Sequence, residues 1–362
     1  MTSHALLENA RDLQQAQTRL QDVIPSLRRV ISATVVRHKP GRRALIEYRL
    51  NTSTGPLTLL GKLRFKGTDW ASYRLQQTLW NQGFAADSPD SISVPEPMGV
   101  IPDWHLWLQR KVPGVPATEL LPTPAGVPLA SCIATLAHKL HQTPISTPKT
   151  HTLADELRIL HERLPLVAQQ HPQWEARIAQ ILNTCDTLTQ DSSLHLPPSP
   201  PPPLHSSTHP PCRALTLIHR DFYADQVLVD RDRLWLVDLD LCCQGDPALD
   251  IGNFIAHITE QSLRQMGNPA AMAEREAALR EAFIEAQLSS IRRSDSGTQP
   301  LDPDVRAGVQ ANPLRWAIEL YTVLTLVRHI HISTGIAARR PYTEAILTLC
   351  ETRIRDLLTA PR

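Results

Sequence analysis

From residue 115 to its end the chain reads as helix almost throughout, and one stretch breaks that pattern: IHRDFYADQVLVDRDRLWLVDLD, residues 218–240. It holds two short apolar runs, VLVD and WLV, separated by Arg231-Asp232-Arg233. Runs this short, bounded by turn residues, form strands rather than helix. A hairpin returns its second strand beside its first. Asp221 and Gln226 precede the first run and Asp238 ends the second, so Gln226 and Asp238 can converge on one ion.

The chain before residue 115 has a different rhythm. Leu6, Leu13, Leu20 and Leu27 recur at helical spacing, which predicts one or two amphipathic helices within residues 4–30. ISATVVRHK, ALIEYRL and LTLLGKLRF follow, split by the turn signals PGRR and NTSTGP, and predict a three-stranded meander. TDWASYRLQQTLWNQ, residues 68–82, predicts a helix with Thr68 as N-cap. VPEPMGVIPDWHLWLQRKVPG predicts two more strands. Beyond 115, helical faces are marked by Leu129, Ile133, Leu136 and Leu140, by Leu153, Leu157, Leu160 and Leu164, and by Trp174, Ile178, Ile181 and Cys185. Further helices are expected near 250–264, 269–289, 312–333 and 341–359. PPSPPPPLHSSTHPP can form neither helix nor central strand and marks a disordered or polyproline insertion at about 196–212.

Bulk properties exclude several classes. With 37 Lys+Arg against 36 Asp+Glu the formal net charge is +1, which argues against a bulk nucleic-acid binder. No apolar run approaches membrane-spanning length. The polar, acid-bearing start MTSHALLENARDLQQAQ is neither a secretory signal nor a transit peptide. The 6 cysteines show no CxxC spacing, as expected of reduced thiols in a cytoplasmic protein. Cys242-Cys243 reads as a half-buried pair beside a strand rather than a redox switch. Protein partners are not legible.

Phosphoryl transfer to a hydroxyl needs an acid to take or orient the proton, oxygen ligands for magnesium, and a cation on the phosphates. Asp221, Gln226 and Asp238 stand in the order such a site requires. HRDFYADQVL, then LVDLD and GDPALDIGNF, resembles the aminoglycoside phosphotransferase/choline kinase-type family, whose pattern is H-G-D-x-x-x-x-N, an apolar-Asp, then G-D-P-x-x-D. HxD alone would be weak. The second Asp and GDPxxD at matching spacing make coincidence improbable.

The resemblance implies an α+β, two-lobed protein-kinase-like fold. A helical segment, 1–30, would precede a small antiparallel β N-lobe, 31–110, that binds the nucleotide. A larger, mainly α C-lobe, 111–362, would carry catalysis and the acceptor. It implies an ATP- and Mg2+-dependent kinase of a small hydroxyl acceptor, with Asp221 as base, Gln226 and Asp238 as metal ligands, and His219 and Asp250 supporting the loop. Lys62 in LLGKLRF stands where the family grips phosphate. In KPGRR, Arg42 or Arg43 could add charge to the phosphates, or form a plain basic hairpin. LWLQRKVPG resembles the inter-lobe hinge, which puts the backbone of Gln109–Lys111 at adenine. A protein kinase fits less well, because GDPALD follows Asp238 too soon for an activation loop and no A-P-E appears.

Two departures stand out. Gln226 replaces the usual Asn; it offers the same carbonyl one methylene further out, or it has lost the metal and the chain is a nucleotide-binding pseudokinase with a regulatory role. Retention of Asp221, Asp238 and Lys62 favours the active enzyme. Residues 68–82 lack the Glu that pairs with the strand Lys, leaving Gln76 or Gln77 as weaker partners. Asp240 reads either as a second-metal or substrate contact or as a solvated strand-end acid. On the acceptor side, Trp316, Glu319, Tyr321 and Arg328 lie on one mostly apolar stretch, where most of them read as core; the acids are scattered and form no dense rim for a polycationic aminoglycoside, so a sugar or amino alcohol is as plausible an acceptor.

Overall fold

The computed structural model describes residues 3–190, 215–294 and 303–359. The proline-rich insertion expected at about 196–212 lies outside the described residues. The chain folds as two compact units, Met1–Pro116 with Val227–Asp240, and Ala117–Gln226 with Leu241–Arg362.

In chain order, α1 (Ser3–Arg11) and α2 (Leu13–Val23) precede β1 (Leu27–Lys39), β2 (Arg43–Thr52), β3 (Gly55–Arg64) and α3 (Trp70–Leu79). Then come β4 (Ile92–Ser93), β5 (Pro97–Ile101), β6 (Leu106–Arg110) and β7 (Val115–Pro116). The second unit starts with α4 (Ala117–Leu120), α5 (Gly126–Gln142), β8 (Thr150–His151), α6 (Leu153–Gln170), α7 (Glu175–Gln190) and β9 (Thr216–Ile218). β10 (Val227–Asp230) and β11 (Arg233–Leu236) return to the first unit. β12 (Cys243–Gly245), α8 (Pro247–Met266), α9 (Ala273–Ser294), α10 (Pro303–Gly335) and α11 (Thr343–Thr359) complete the second. The α+β class is as expected.

The first unit is built on an antiparallel sheet of order β1-β2-β3-β6-β5. Alternation along β2 and β3 splits its side chains between two faces. Ala44, Ile46, Tyr48, Leu50, Leu59 and Leu63 are buried in one core with Leu6, Leu7, Ala10, Ala16 and Leu20 of α1 and α2. Buried Tyr48 gives its hydroxyl hydrogen to the Ala10 carbonyl at 2.7 Å. Arg43, Leu45, Leu60, Lys62 and Arg64 alternate with these and are half-buried. Gly41, at φ +66°, supplies the left-handed residue that turns β1 into β2. Between β2 and β3, Leu45 stands opposite Lys62 and Arg43 opposite Arg64. The hairpin β10–β11 pairs Val227 with Leu236 and Asp230 with Arg233, and joins β4 and β7 in a second small sheet.

Local expectations shift in three places. Leu27 opens β1 instead of continuing a helical face, because the chain leaves α2 at Ile24. The helix expected over 68–82 is regular only over Trp70–Leu79; a wider turn follows, with Gly83 at φ +89°. Asp69, not Thr68, caps it, accepting the Ser72 N–H at 3.1 Å.

The second unit is mainly helical. α8 and α10 approach closely at Gly252, where a Cβ would stand 2.6 Å from Tyr321 Cβ and 2.7 Å from the Ile318 carbonyl oxygen. Cys242 and Cys243 are buried rather than half-buried, since β12 sits inside a three-stranded sheet between β8 and β9. Among the described residues no helix is long and apolar enough to cross a membrane.

Candidate active site

The first unit contains a cavity of about 250 Å³. Leu60, Val112, Leu228 and Val237 line it with apolar surface, and Arg37, Lys39, Arg43, Lys62, Arg64 and Lys111 line it with positive charge. Asp238 and Asp240 are the acids in its wall. Lys62 is placed there by strand alternation and rests over the Trp107 ring at 4.9 Å. Its Nζ lies 3.0 Å from Asp240 Oδ1 and 3.6 Å from Asp238 Oδ1.

The solvated reading of Asp240 fails. Its side chain is 7 % exposed, and Oδ2 also accepts from Arg64 Nη2 at 2.5 Å and from Arg43 Nη1 at 3.3 Å. Burial pushes its pKa upward, but the charges of Lys62 and Arg64 outweigh burial and hold the carboxyl below its ordinary range. The excess of cations is felt by Lys39, whose pKa is lowered by Arg43 first, then by burial, Arg37 and Arg42. Asp238 differs from its neighbour: its side chain is 37 % exposed and its backbone is left-handed at φ +59°.

Gln76 does not partner Lys62. Its amide hydrogens go to the Pro95 carbonyl at 2.7 Å and to Gln109 Oε1 at 3.2 Å. Gln109 is buried on β6. The Lys111 N–H donates to the Thr58 carbonyl at 2.9 Å and its ammonium meets Glu47 at 2.5 Å. A nucleotide base at this segment therefore has to use other groups than the Lys111 N–H.

Asp221, Gln226, His219 and Asp250 belong to the second unit. Asp250 lies in the first turns of α8, behind the cap made by Asp246. Wholly buried, it accepts the His219 N–H and the Arg220 N–H, each at 2.7 Å, and contacts His141 Nε2 at 2.9 Å. These bonds fix the segment that presents Asp221, including Arg220 at φ +69°. The resembling pattern places Gly there, and Arg holds this left-handed conformation against its steric preference. Asn253, on the same face of α8, donates to the Phe222 carbonyl at 3.0 Å. Gln226 closes a short turn, its N–H on the Tyr223 carbonyl at 2.9 Å, and is 6 % exposed.

Several participants carried no sequence signal. His141 comes from α5 and reaches Asp250 only through tertiary packing. Arg328, an acceptor-side candidate, instead braces the loop: Nη2 meets Asn253 Oδ1 at 2.6 Å and Nη1 meets Glu156 Oε2 at 3.1 Å. Glu156 in turn contacts His151 Nε2 at 2.6 Å. Trp316 and Tyr321 are buried, and Glu319 pairs with Arg280. Tyr223 stacks on His257 with ring centroids 4.5 Å apart, and His257 meets His329 edge-on at the same separation.

The model of the phosphotransferase enzyme family matches residues 47–295, more than half of the chain. No curated protein matches it. Among solved structures, choline kinase from Cryptosporidium parvum Iowa II is similar over 96 % of this chain and 96 % of its own, with a TM-score of 0.59 at 12 % identity. A choline/ethanolamine kinase family protein from Mesorhizobium loti is similar over 96 % and 95 %, with a TM-score of 0.52 at 13 % identity. A spectinomycin phosphotransferase, solved with ADP and spectinomycin, is similar over 97 % and 95 %, with a TM-score of 0.52 at 10 % identity. At these identities the likeness is one of fold, the protein-kinase-like fold expected above.

Proposed function

The chain belongs to the phosphotransferase enzyme family, and from that premise we propose that it transfers the γ-phosphate of ATP to a hydroxyl of a small acceptor, of the sugar, amino-alcohol or aminoglycoside type. The observation that carries this reading is the first unit's cavity, apolar in part and lined by Lys62, Arg43 and Arg64, with the exposed carboxylate of Asp238 in its wall. A base fits the apolar part, and a polyphosphate fits the cations.

Asp221 takes the proton of the acceptor hydroxyl. The hydroxyl oxygen bonds to the γ-phosphorus while the bond to the β,γ-bridging oxygen breaks, and the charge passes to the departing diphosphate. Lys62 and Arg43 hold that phosphate chain and take up its charge. The neighbours' names, choline kinase and spectinomycin phosphotransferase, support a small acceptor without choosing between its classes.

Gln226 and Asp238 would hold magnesium. A carboxamide and a carboxylate oxygen suit this hard ion, which keeps water and phosphate oxygens as its other ligands. What supports this is that Asp238 is the open carboxylate of the wall, with 37 % of its side chain exposed. When bound, the ion supplies charge neutralisation at the phosphates.

The test is Asp221→Asn, assayed for ATP consumption against a panel of sugars, amino alcohols and aminoglycosides. Loss of a general base lowers turnover by about 10²–10⁴-fold. Nucleotide binding, read as thermal stabilisation by ATP, should persist. Turnover equal to that of the parent protein would remove Asp221 from the reaction.

A further inference from the structure

A phosphate-gripping lysine needs a carboxylate to hold it extended between uses. The resembling family draws that carboxylate from the helix after the third strand, and here that helix, WASYRLQQTL, has no acid. Its buried carboxamide, Gln76, is committed to Pro95 and Gln109. The carboxylates near Lys62 come from far along the chain, Asp238 just before the turn Leu239–Leu241 and Asp240 within it. Leu239 is buried there, which leaves Asp238 and Asp240 on either side of it facing the cavity.

The two acids are used differently. Asp238 keeps 37 % of its side chain exposed, with Lys62 at 3.6 Å. Asp240 keeps 7 %, and both its oxygens are taken: Oδ1 by Lys62, Oδ2 by Arg64 and Arg43. Three cations occupy three of the carboxylate's roughly four lone-pair sites, both of those on Oδ2 included, so Asp240 is engaged by cations rather than open to a metal as Asp238 is. Those cations come from facing positions of β2 and β3, where Arg43 is opposite Arg64. Trp107 supports the lysine beneath, and Asp69 adds a contact to Arg64 at 3.3 Å.

We propose that Asp240 is a positioning residue for phosphoryl transfer: it replaces the helix acid and holds Lys62, Arg64 and Arg43 together as a preformed grip for the donor's phosphate chain. The inference rests on the donor-site reading of the cavity. It adds Arg64 to the phosphate contacts and removes Asp240 from the metal ligands. A phosphate oxygen entering the cavity offers the arginines the same hydrogen bonds that Asp240 gives them, so the grip is transferred rather than built anew.

The test uses the full-length protein and the variants Asp240→Asn, Asp240→Glu and Arg64→Met. Steady-state ATP consumption is measured over a range of ATP and of Mg2+, and binding of ATP, ADP and adenosine is measured by thermal shift. Asp240→Asn should lower kcat about 10–100-fold through a misplaced lysine. Its KM for ATP should stay level or fall, since the wall has lost a negative charge. The half-saturating Mg2+ concentration should not move, and Asp240→Glu should recover part of kcat.

Recovery of Asp240→Asn by excess Mg2+ would make Asp240 a metal ligand and overturn the proposal. So would kcat and KM both matching the parent. If Asp240→Asn does not fold, Arg64→Met decides: it should weaken ATP more than adenosine, and an unchanged ratio overturns the proposal. A parent protein that gains no stability from ATP would sink the donor-site reading itself, whereas the outcomes above sink only the part given to Asp240.

Discussion

Asp240 and Asp250 follow the same hairpin, and both are carboxylates shut away from water, yet they are satisfied by different partners. Asp240 is held by side chains, Lys62, Arg64 and Arg43, that keep between 15 % and 33 % exposure. Asp250 is held by the backbone N–H groups of His219 and Arg220 and by the buried ring of His141. Side-chain partners can swing to a ligand without moving the chain. Backbone partners cannot leave unless the loop leaves with them. The wall of the first unit is thus exchangeable, and the loop that presents Asp221 in the second is fixed.

The largest effect expected from this contrast is on stability. Asp250→Ala takes the acceptor from the buried His219 N–H and the half-buried Arg220 N–H, at a cost on the order of 3–5 kcal/mol. Asp240→Asn frees cations that can turn to solvent, and costs about 1 kcal/mol. Urea unfolding of the two variants side by side measures the difference. Equal shifts of the midpoint would erase the distinction between an exchangeable wall and a fixed loop.

Acid should separate the regions next. Asp240 has a folded pKa below its ordinary value, because Lys62 and Arg64 outweigh its burial. Its contribution is therefore full above the unfolded value of about 3.9 and is lost as pH falls through the folded value. The histidines behind Tyr223 act earlier. Burial and the neighbouring Arg328 and Arg339 push His329 down to about 3, and burial with His329 drives His257 well down. Both are neutral in the fold and take a proton when unfolded, so stability is full above the unfolded value of about 6.5 and falls below it. Each such proton costs about 1.4 kcal/mol per pH unit. A melting temperature that declines from near-neutral pH toward pH 4, and declines less in His329→Leu, is the expected record. A flat profile above pH 4 would refute the assignment of the His257–His329 pair.

Arg220 offers a smaller handle on the fixed loop. At φ +69° it occupies a conformation that costs a non-glycine residue roughly 1–2 kcal/mol. Arg220→Gly relieves that cost but gives the unfolded chain more freedom, so a net gain of about 0.5–1 kcal/mol is expected. Its N–H still reaches Asp250. Destabilisation by this change would mean that the arginine side chain, whose charge lies near Glu156, matters more to the loop than its backbone.

What the sequence made legible follows the same division. The meander, the hairpin and GDPALD are local patterns, and they yield β1 to β3, the β10–β11 ribbon and Asp250 at the start of α8. Lys62 could be placed on the third strand because alternation is local too. Asp240 was ambiguous because its partners are set by how β2 and β3 lie against a turn far along the chain. His141 and Arg328 bear on the loop through contacts between α5, α8 and α10, and no spacing within one helix announces them. Arg328, on an apolar helix, looked like an acceptor contact, and its role emerged only with Asn253 and Glu156 beside it.

The smallest effect is at the start of α3, where two adjacent residues compete for one task. Thr68 and Asp69 are both good N-caps, and the difference in helix start is a single residue. Asp69 wins because its carboxylate accepts the Ser72 N–H at 3.1 Å while also meeting Arg64 at 3.3 Å, and Thr68 offers no charge for that arginine. The cap is therefore tied to the exchangeable wall. Asp69→Ala should cost about 0.5–1 kcal/mol and Thr68→Ala close to nothing. If Arg64 turns to a bound phosphate, it loosens its hold on Asp69 but leaves the cap bond in place. The Asp69→Ala loss should then be nearly the same with and without ATP in thermal unfolding. A loss that vanishes on adding ATP would show that Arg64, rather than the helix N-terminus, accounts for the value of Asp69.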